Sequence, residues 1–403
     1  MARSFFAPLL KRGVENPAVP LTSESLIDVL GEGRTVAGHS VSSRSVLGIP
    51  AVWRAVRIRS GVGAMLPLQS FRLNTRRRVV SRLLDTPHPD LTQFEHREWC
   101  WQSLDLHGNV WCFKLRNQMG VVTALVPVNP SAVQVGPVDR DELTPDGRIY
   151  LVTLDSGRQV PMTSYELWHV RGFSTDGLVG IPPVSILRQG FGEMLAAQHH
   201  AADFFGKGGI VAGVLASDAK LDPGVAEKVK ERWRKMVSGG SNEVAVLGAG
   251  LRFQPVQMPN RDAQFLESRK FQISEVARAF GIPPFMLYDV EKSTSWGTGI
   301  EQQSIGWVVY GLQPDLTRFE QRYTRDVVPP RAYAKHRVEG LLRGDSKARA
   351  AFYSVMRNIG ALNVDEIRDL EDREPLPDGA GQTYLQPLNM APLGADSTEE
   401  DDT

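Results

Sequence analysis

The chain is poor in cysteine, carries no net charge and has no long apolar run, and each absence removes a class of function. Cys100 and Cys112 are its two cysteines. They show neither a metal-ligand spacing nor a disulfide framework, and read as small buried hydrophobes of a protein kept in a reducing compartment. Lys plus Arg and Asp plus Glu number 46 each. The molecule as a whole is therefore no electrostatic glue for nucleic acid, and any such contact is local or weak. No apolar run approaches the ~20 residues of a membrane span. The apolar block from Ser4 to Leu10 is too short for a signal peptide and is followed at once by Lys11 and Arg12, so a soluble, unexported protein with no membrane partner is expected. There is no G-x-S-x-G elbow, no H-E-x-x-H, no dinucleotide fingerprint after a strand and no internal repeat, which disfavours enzymes of those kinds.

What is present is ample material for cores. At 403 residues and 42% hydrophobic content, two or more structural units are expected. Residues 1–45 mix Pro, Gly, Ser and isolated apolar residues and read as a loosely ordered arm, while the end of the chain, Ser-Thr-Glu-Glu-Asp-Asp-Thr, reads as a disordered acidic tail. Between them the patterning is α+β. A helix is expected from Ala51 to Gly61, then strands over Leu66 to Leu73 and Arg78 to Leu83. Thr92 and Glu95 form a capping box for a helix reaching about Asp105. Strands follow at Val110 to Leu115, Val121 to Pro127, Val133 to Val135, Ile149 to Leu154 and Leu167 to Val170.

From Ser185 to Phe205, Leu187, Phe191, Met194, Gln198, Ala201 and Phe205 recur at helical spacing, a narrow seam for packing against another helix. Its expected partner starts at Asp262, where Phe265, Ile273, Val276, Ala277 and Phe280 define an apolar face. That helix must stop at Gly281, because Pro283 and Pro284 follow Ile282. Between the two helices a strand, a helix over Val225 to Val237 and two further strands make a small α/β module. After the Pro-Pro stop comes a Ser, Thr and Gly loop, Asp289 to Gly299, and then a helix from about Ile300 to Tyr323 that Pro314 should kink or divide. Asn363 and Glu366 mark another capping box.

This order of segments resembles the portal proteins of tailed bacteriophages, of the HK97 type. The residues that carry the resemblance are Gln264-Phe265-Leu266-Glu267, Arg269-Lys270-Phe271, the run Ile273 to Phe280, Gly281-Ile282-Pro283-Pro284, Glu301-Gln302-Gln303 and Leu312-Gln313-Pro314. Gly108-Asn109-Val110-Trp111, Trp168-His169-Val170 and Gly177 to Gly180 extend it upstream, and Gly344 to Tyr353 and Asn363 to Arg368 downstream. The resemblance implies a portal fold with a mixed α/β wing (46–184), a first stem helix (185–207), a small α/β clip (208–260) and a second stem helix (261–281). A tunnel-loop region (282–300), a kinked wing helix with the segment after it (301–342), C-terminal crown helices (343–376) and the acidic tail (377–403) complete it. It also implies a non-enzymatic, dodecameric homo-oligomeric ring at one capsid vertex of the virion, assembled in the host bacterial cytoplasm. Double-stranded DNA would pass through weakly and without sequence preference, and the implied partners are the terminase large subunit, the major capsid protein or scaffold, and a head-tail adaptor. A connector of a gene transfer agent or defective prophage is the alternative, with a nucleic-acid enzyme of scattered site residues more distant.

In the family's terms the tunnel loop carries Lys292, Ser293, Thr294, Ser295 and Trp296, and Lys292 reads either as a repeated weak phosphate contact or as a solubilising loop charge. The clip helix carries Lys228, Lys230, Arg232, Arg234 and Lys235, a docking surface for the motor or DNA, or a solvated helix face. His199, His200 and Asp203 place two ligand types a helical turn apart, but a closed metal site needs more, and a polar face is preferred. Phe205-Gly206-Lys207-Gly208-Gly209 lacks Walker spacing and reads as a helix end. No cofactor and no metal site are expected.

Overall fold

The computed structural model describes residues 35–206, 213–217, 224, 227–231, 251–255, 261–289, 298–338, 346–371 and 373–385. Contacts divide the chain into two units, meeting at Arg337 and Val338.

In the first unit α1 spans Pro50–Met65, and Pro50 at its first turn supplies a preset φ where no amide partner is needed. The hairpin strands β1 (Leu68–Arg72) and β2 (Arg78–Val79) follow. The expected continuation of β2 to Leu83 is instead a helical turn, Arg82–Asp85. α2 (Gln93–His107) opens on the expected box: Thr92 Oγ1 accepts from the Glu95 amide at 3.2 Å, and the Glu95 carboxylate accepts from the Thr92 amide at 2.8 Å. Gly108 closes α2 with φ +65.

Strands β3 (Asn109–Arg116), β4 (Val122–Val128), β5 (Val133–Pro137), β6 (Arg148–Thr153), β7 (Gln159–Met162) and β8 (Leu167–Arg171) form two antiparallel sheets, ordered β4-β3-β8 and β5-β6-β7. Between them Trp111, Val128, Val133, Val135, Tyr150, Val152 and Leu167 make one core.

The expected helix from Ser185 starts later, as α3 (Arg188–Gly206), because Pro182 and Pro183 set off a separate turn over Pro183–Ile186. β9 (Gly213–Ser217) and β10 (Leu251–Pro255) pair antiparallel, and α4 (Arg261–Phe280) returns the chain. The first part of the expected seam is present, with Phe191 and Met194, joined by Leu195, sharing a core with Val276, Ala277 and Phe280 of α4 and Val52, Ala55 and Val56 of α1, whereas Gln198 is exposed. The kinked helix is α5 (Thr298–Gly306), a π segment (Trp307–Leu312) and α6 (Gln313–Asp326).

β11 (Ala332–His336) ends the unit and was not expected. Ala-Tyr-Ala-Lys-His has weak strand chemistry, and pairing with distant β1 decides it, with Ala332, Ala334 and His336 facing inward. The second unit holds α7 (Ser346–Asn358) and α8 (Val364–Leu370), the latter started by the expected Asn363 and Glu366 box. Tyr353 Oη donates to Glu371 at 2.6 Å there.

One buried guanidinium ties the helices of the first unit together. Arg59 on α1 donates through Nε to Asp105 of α2 at 2.8 Å and through Nη2 to Asp315 of α6 at 2.6 Å. Its Nη1 donates to the carbonyls of Phe280 at 3.0 Å and Gly311 at 3.2 Å, satisfying the orphan end of α4 and the π segment together. Burial alone would lower the Arg59 pKa, but the charges of Asp105 and Asp315 raise it. Burial pushes the Asp105 carboxyl up to about 6 against the pull of Arg59, and its Oδ2 has no hydrogen-bond partner.

Arg59→Ala leaves the buried Asp105 carboxylate without its cation and the Phe280 and Gly311 carbonyls without that donor, while Asp315 keeps Arg318 at 3.2 Å, and is expected to cost about 3–5 kcal/mol in denaturant unfolding. An unfolded aspartate ionises near pH ~3.9. Between about 4 and about 6 the native state thus keeps a proton the unfolded chain has lost, so the Asp105 contribution to stability falls as pH rises through that window. Relative to Asp105→Asn, the wild type should lose on the order of 3 kcal/mol across it, measured by unfolding at fixed pH values.

Candidate functional site

Where α4, the Gly-Ile-Pro-Pro stop and the kinked helix meet, the chain makes three departures from regular backbone. Gly281 adopts φ +61, and the Ile282 amide turns back to the Ala277 carbonyl at 2.9 Å. Pro283 and Pro284 then direct the chain into a short 3-10 turn, Pro284–Leu287, which ends on Tyr288 at φ +63. On the other side Pro314 has no amide to give the Tyr310 carbonyl, and its ring would crowd that carbonyl in a regular helix. The helix takes an extra residue into the turn, and the Gln313 amide donates to Val308, five residues back. This is the physical form of the kink expected from Pro314.

The two irregular backbones pass close together. A Cβ on Gly311 would lie 2.5 Å from the Gly281 carbonyl oxygen and 2.7 Å from the Trp307 ring, so glycine is required at that crossing. Beside it opens a cleft of about 530 Å³ lined by Ser274, Arg278, Pro283, Trp307 and Tyr310, among others. Trp307 is buried and its Nε1 has no hydrogen-bond partner, whereas Tyr310 is 84% exposed. Among the described residues no carboxylate, histidine or cysteine lines the cleft. That described lining, with an arginine, two prolines, the exposed Tyr310 and the half-buried Ser274 among apolar surface, suits contact and recognition.

The sequence-derived site residues fall unevenly on the structure. Lys292, Ser293, Thr294, Ser295 and Trp296 lie outside the described residues, as do Arg232, Arg234 and Lys235. Lys228 and Lys230 are exposed, and Lys230 Nζ stands 4.0 Å from Glu227, a solvated pair. His199 and His200 are exposed, and the His199 ring stacks on His39 with centroids 4.8 Å apart. The Asp203 side chain is outside the described residues, and α3 ends at Gly206.

Two polar centres were not read as such from the sequence. Asn109, buried at the start of β3, accepts from the Gly180 amide at 2.7 Å and donates to the Gly180 carbonyl at 2.7 Å, clamping the segment that leads into α3. Its Oδ1 also accepts from His169 Nε2 at 3.0 Å, which leaves His169 Nδ1 to accept from Tyr150 Oη at 3.3 Å. Burial and the nearby Arg322 charge hold His169 well below the ordinary imidazole range, in keeping with that neutral tautomer. The residues Gly108 to Trp111 and Gly177 to Gly180 were noted by resemblance, but nothing in their spacing announces the clamp.

The second centre is cysteine. Cys100 and Cys112 are buried, as expected, but they converge on His96, with Cys100 Sγ 3.9 Å from His96 Nδ1. Burial alone would raise the Cys100 thiol; its hydrogen bond with Cys112 and the neighbouring His96 bring it down, while burial pushes Cys112 up. The signal was His96 and Cys100 one helical turn apart on α2, facing the next strand.

The crossing is open to test by paired substitutions. Gly311→Ala should destabilise by about 1–3 kcal/mol in denaturant unfolding, through overpacking against Gly281 and Trp307. Gly306→Ala, where a Cβ meets nothing within 4 Å, should be neutral or stabilising by up to ~1 kcal/mol.

Comparison with known proteins places this geometry. Residues 50–372 match the family described as phage portal protein. The chain is 34% identical over 355 residues to the portal protein of Enterobacteria phage HK97, covering 84% of this chain and 82% of that protein. It is 32% identical over 375 residues to the probable portal protein of Streptomyces phage phiC31, covering 89% of this chain and 82% of that one. Its fold is shared with a chain from the neck of a native gene transfer agent particle computed with C12 symmetry, at a TM-score of 0.56 and 17% identity, covering 87% of this chain and 100% of that one. On the match across residues 50–372 and the identity to the HK97 protein, the chain belongs to the phage portal protein family, of the HK97 type.

Proposed function

We propose that this chain is the subunit of a portal ring at one capsid vertex, through which double-stranded DNA enters during packaging and leaves at ejection. The observation that carries the reading is the family match over residues 50–372, which includes the α4 end, the Pro-Pro stop and the kinked helix. The likeness to a neck subunit computed with C12 symmetry supports a dodecamer. A closed ring needs each subunit to present two different, complementary surfaces.

In this reading residues 46–184 form the wing and 185–207 and 261–281 the stem. Residues 208–260 are the clip, 282–300 the tunnel-loop region, 301–342 the kinked wing helix with the segment after it, and 343–376 the crown. Lys292 sits in the tunnel loop, where one modest phosphate contact per subunit guides DNA without gripping it. The balance of 46 basic and 46 acidic residues suits that role, since a strongly cationic channel would accumulate phosphate contacts and slow passage. Lys228 and Lys230, exposed on the clip helix, belong to the surface that meets the terminase large subunit. The capsid protein or scaffold and a head-tail adaptor are the other partners, and the ring itself carries out no chemistry. The neck of the gene transfer agent particle favours one second reading, the same ring serving such a particle or a defective prophage.

Electron microscopy and native mass spectrometry of the purified protein should give rings with a central hole; a persistent monomer with nuclease or ATPase activity would overturn the proposal. Lys292→Glu should impair packaging or retention of DNA while rings still form. Unchanged packaging and retention would remove Lys292 from the mechanism.

A further inference from the structure

His96, Cys100 and Cys112 lie away from the kinked helix, and the portal reading gives them no task. His96 and Cys100 project from one face of α2, and Cys112 comes from β3, the central strand of the sheet that α2 covers. All three are at most 1% exposed, and their ligand atoms lie within 4.8 Å of one another. The 3.9 Å between Cys100 Sγ and His96 Nδ1 is long for a strong hydrogen bond. It is close to the edge of a coordination polyhedron: metal bonds of about 2.3 Å to sulfur and about 2.0 Å to nitrogen place neighbouring ligands roughly 3.6–3.8 Å apart.

The second ring nitrogen supplies an independent observation. His96 Nε2 lies 3.0 Å from the carbonyl oxygen of Leu125 on β4, a partner that can only accept. The proton is therefore on Nε2, and the Nδ1 lone pair faces the two sulfurs. A metal-binding imidazole is ordinarily held this way, its remote N–H fixed by a carbonyl or carboxylate.

We infer that His96, Cys100 and Cys112 form a buried site for one soft, thiophilic closed-shell metal ion, zinc(II) or copper(I), which staples α2 to β3. Two sulfurs and one imidazole nitrogen exclude hard cations such as magnesium and calcium. In the bound state both cysteines are thiolates, so they balance a zinc ion and leave no net charge in the core. With copper(I) the site keeps one negative charge, and three ligands satisfy it. Among the described residues no further His, Cys, Asp or Glu joins the cluster, so zinc would carry an exogenous fourth ligand. Since the three side chains are closed from solvent, the ion enters while the chain folds.

The test uses the full chain, produced in zinc-supplemented and in copper-supplemented medium, desalted with a chelator and assayed by elemental mass spectrometry. The inference expects one ion per chain, and the better-retained metal identifies the site. Refolding with cobalt(II) should give thiolate-to-cobalt charge-transfer absorption, and Cys112→Ser should abolish it while circular dichroism stays native. Cys112→Ala serves as a second variant should the serine fail to fold. Wild-type protein that carries well under one ion per chain from both media, and refolds with zinc or cobalt without binding it, would overturn the inference. So would a native Cys100–Cys112 disulfide found by mass spectrometry.

Discussion

The Arg59 guanidinium is the constraint on which the arrangement of helices rests. A single side chain from α1 reaches a carboxylate on α2, the last carbonyl of α4, a carbonyl in the π segment and a carboxylate at the start of α6. Those four groups come from three stretches of the chain distant in sequence, and each would be costly to bury unpartnered. Arginine suits the place because its planar fork keeps several donors in fixed directions and stays charged when buried.

The irregular backbone around this hub is cause and consequence together. Pro314 forbids a regular helix, the chain answers with a π turn, and a carbonyl of that turn is taken up by Arg59. Gly311 then allows the end of α4 to touch the π turn, an approach a larger residue there would block, while Gly281 supplies the positive φ at which the chain leaves α4. The end of α4 and the π segment, which precede and follow the proposed tunnel-loop region 282–300, are thereby held against each other.

Much of this was legible in the chain. The α2 and α8 starts were written in Thr92 with Glu95 and Asn363 with Glu366, because a capping box is a local device read over a few residues. The stop at Gly281 and the break near Pro314 followed from proline and glycine stereochemistry alone. What was not legible is what depends on partners distant in sequence. β11 exists because β1 is beside it, and neither alternation nor propensity in Ala332–His336 signals a strand. Arg59, Asn109 and His169 read as an ordinary charge and ordinary polar residues until burial and their partners are known. Cys100 and Cys112 were rightly read as buried, but their meeting with His96 depends on how α2 lies over β3. The tunnel-loop residues, Lys292 to Trp296, remain assigned by resemblance and by the role proposed for them.

The central claim is that Arg59 couples α1, α2, the end of α4 and the kinked helix into one unit. Amide hydrogen exchange in the wild type and Arg59→Ala tests it most directly. If the coupling is real, the amides near Ile282 at the end of α4 and those of Val308 to Asp315 should lose protection together with those of α1. Loss of protection confined to the turn of α1 around residue 59, with the α4 end and the π segment unchanged, would contradict it.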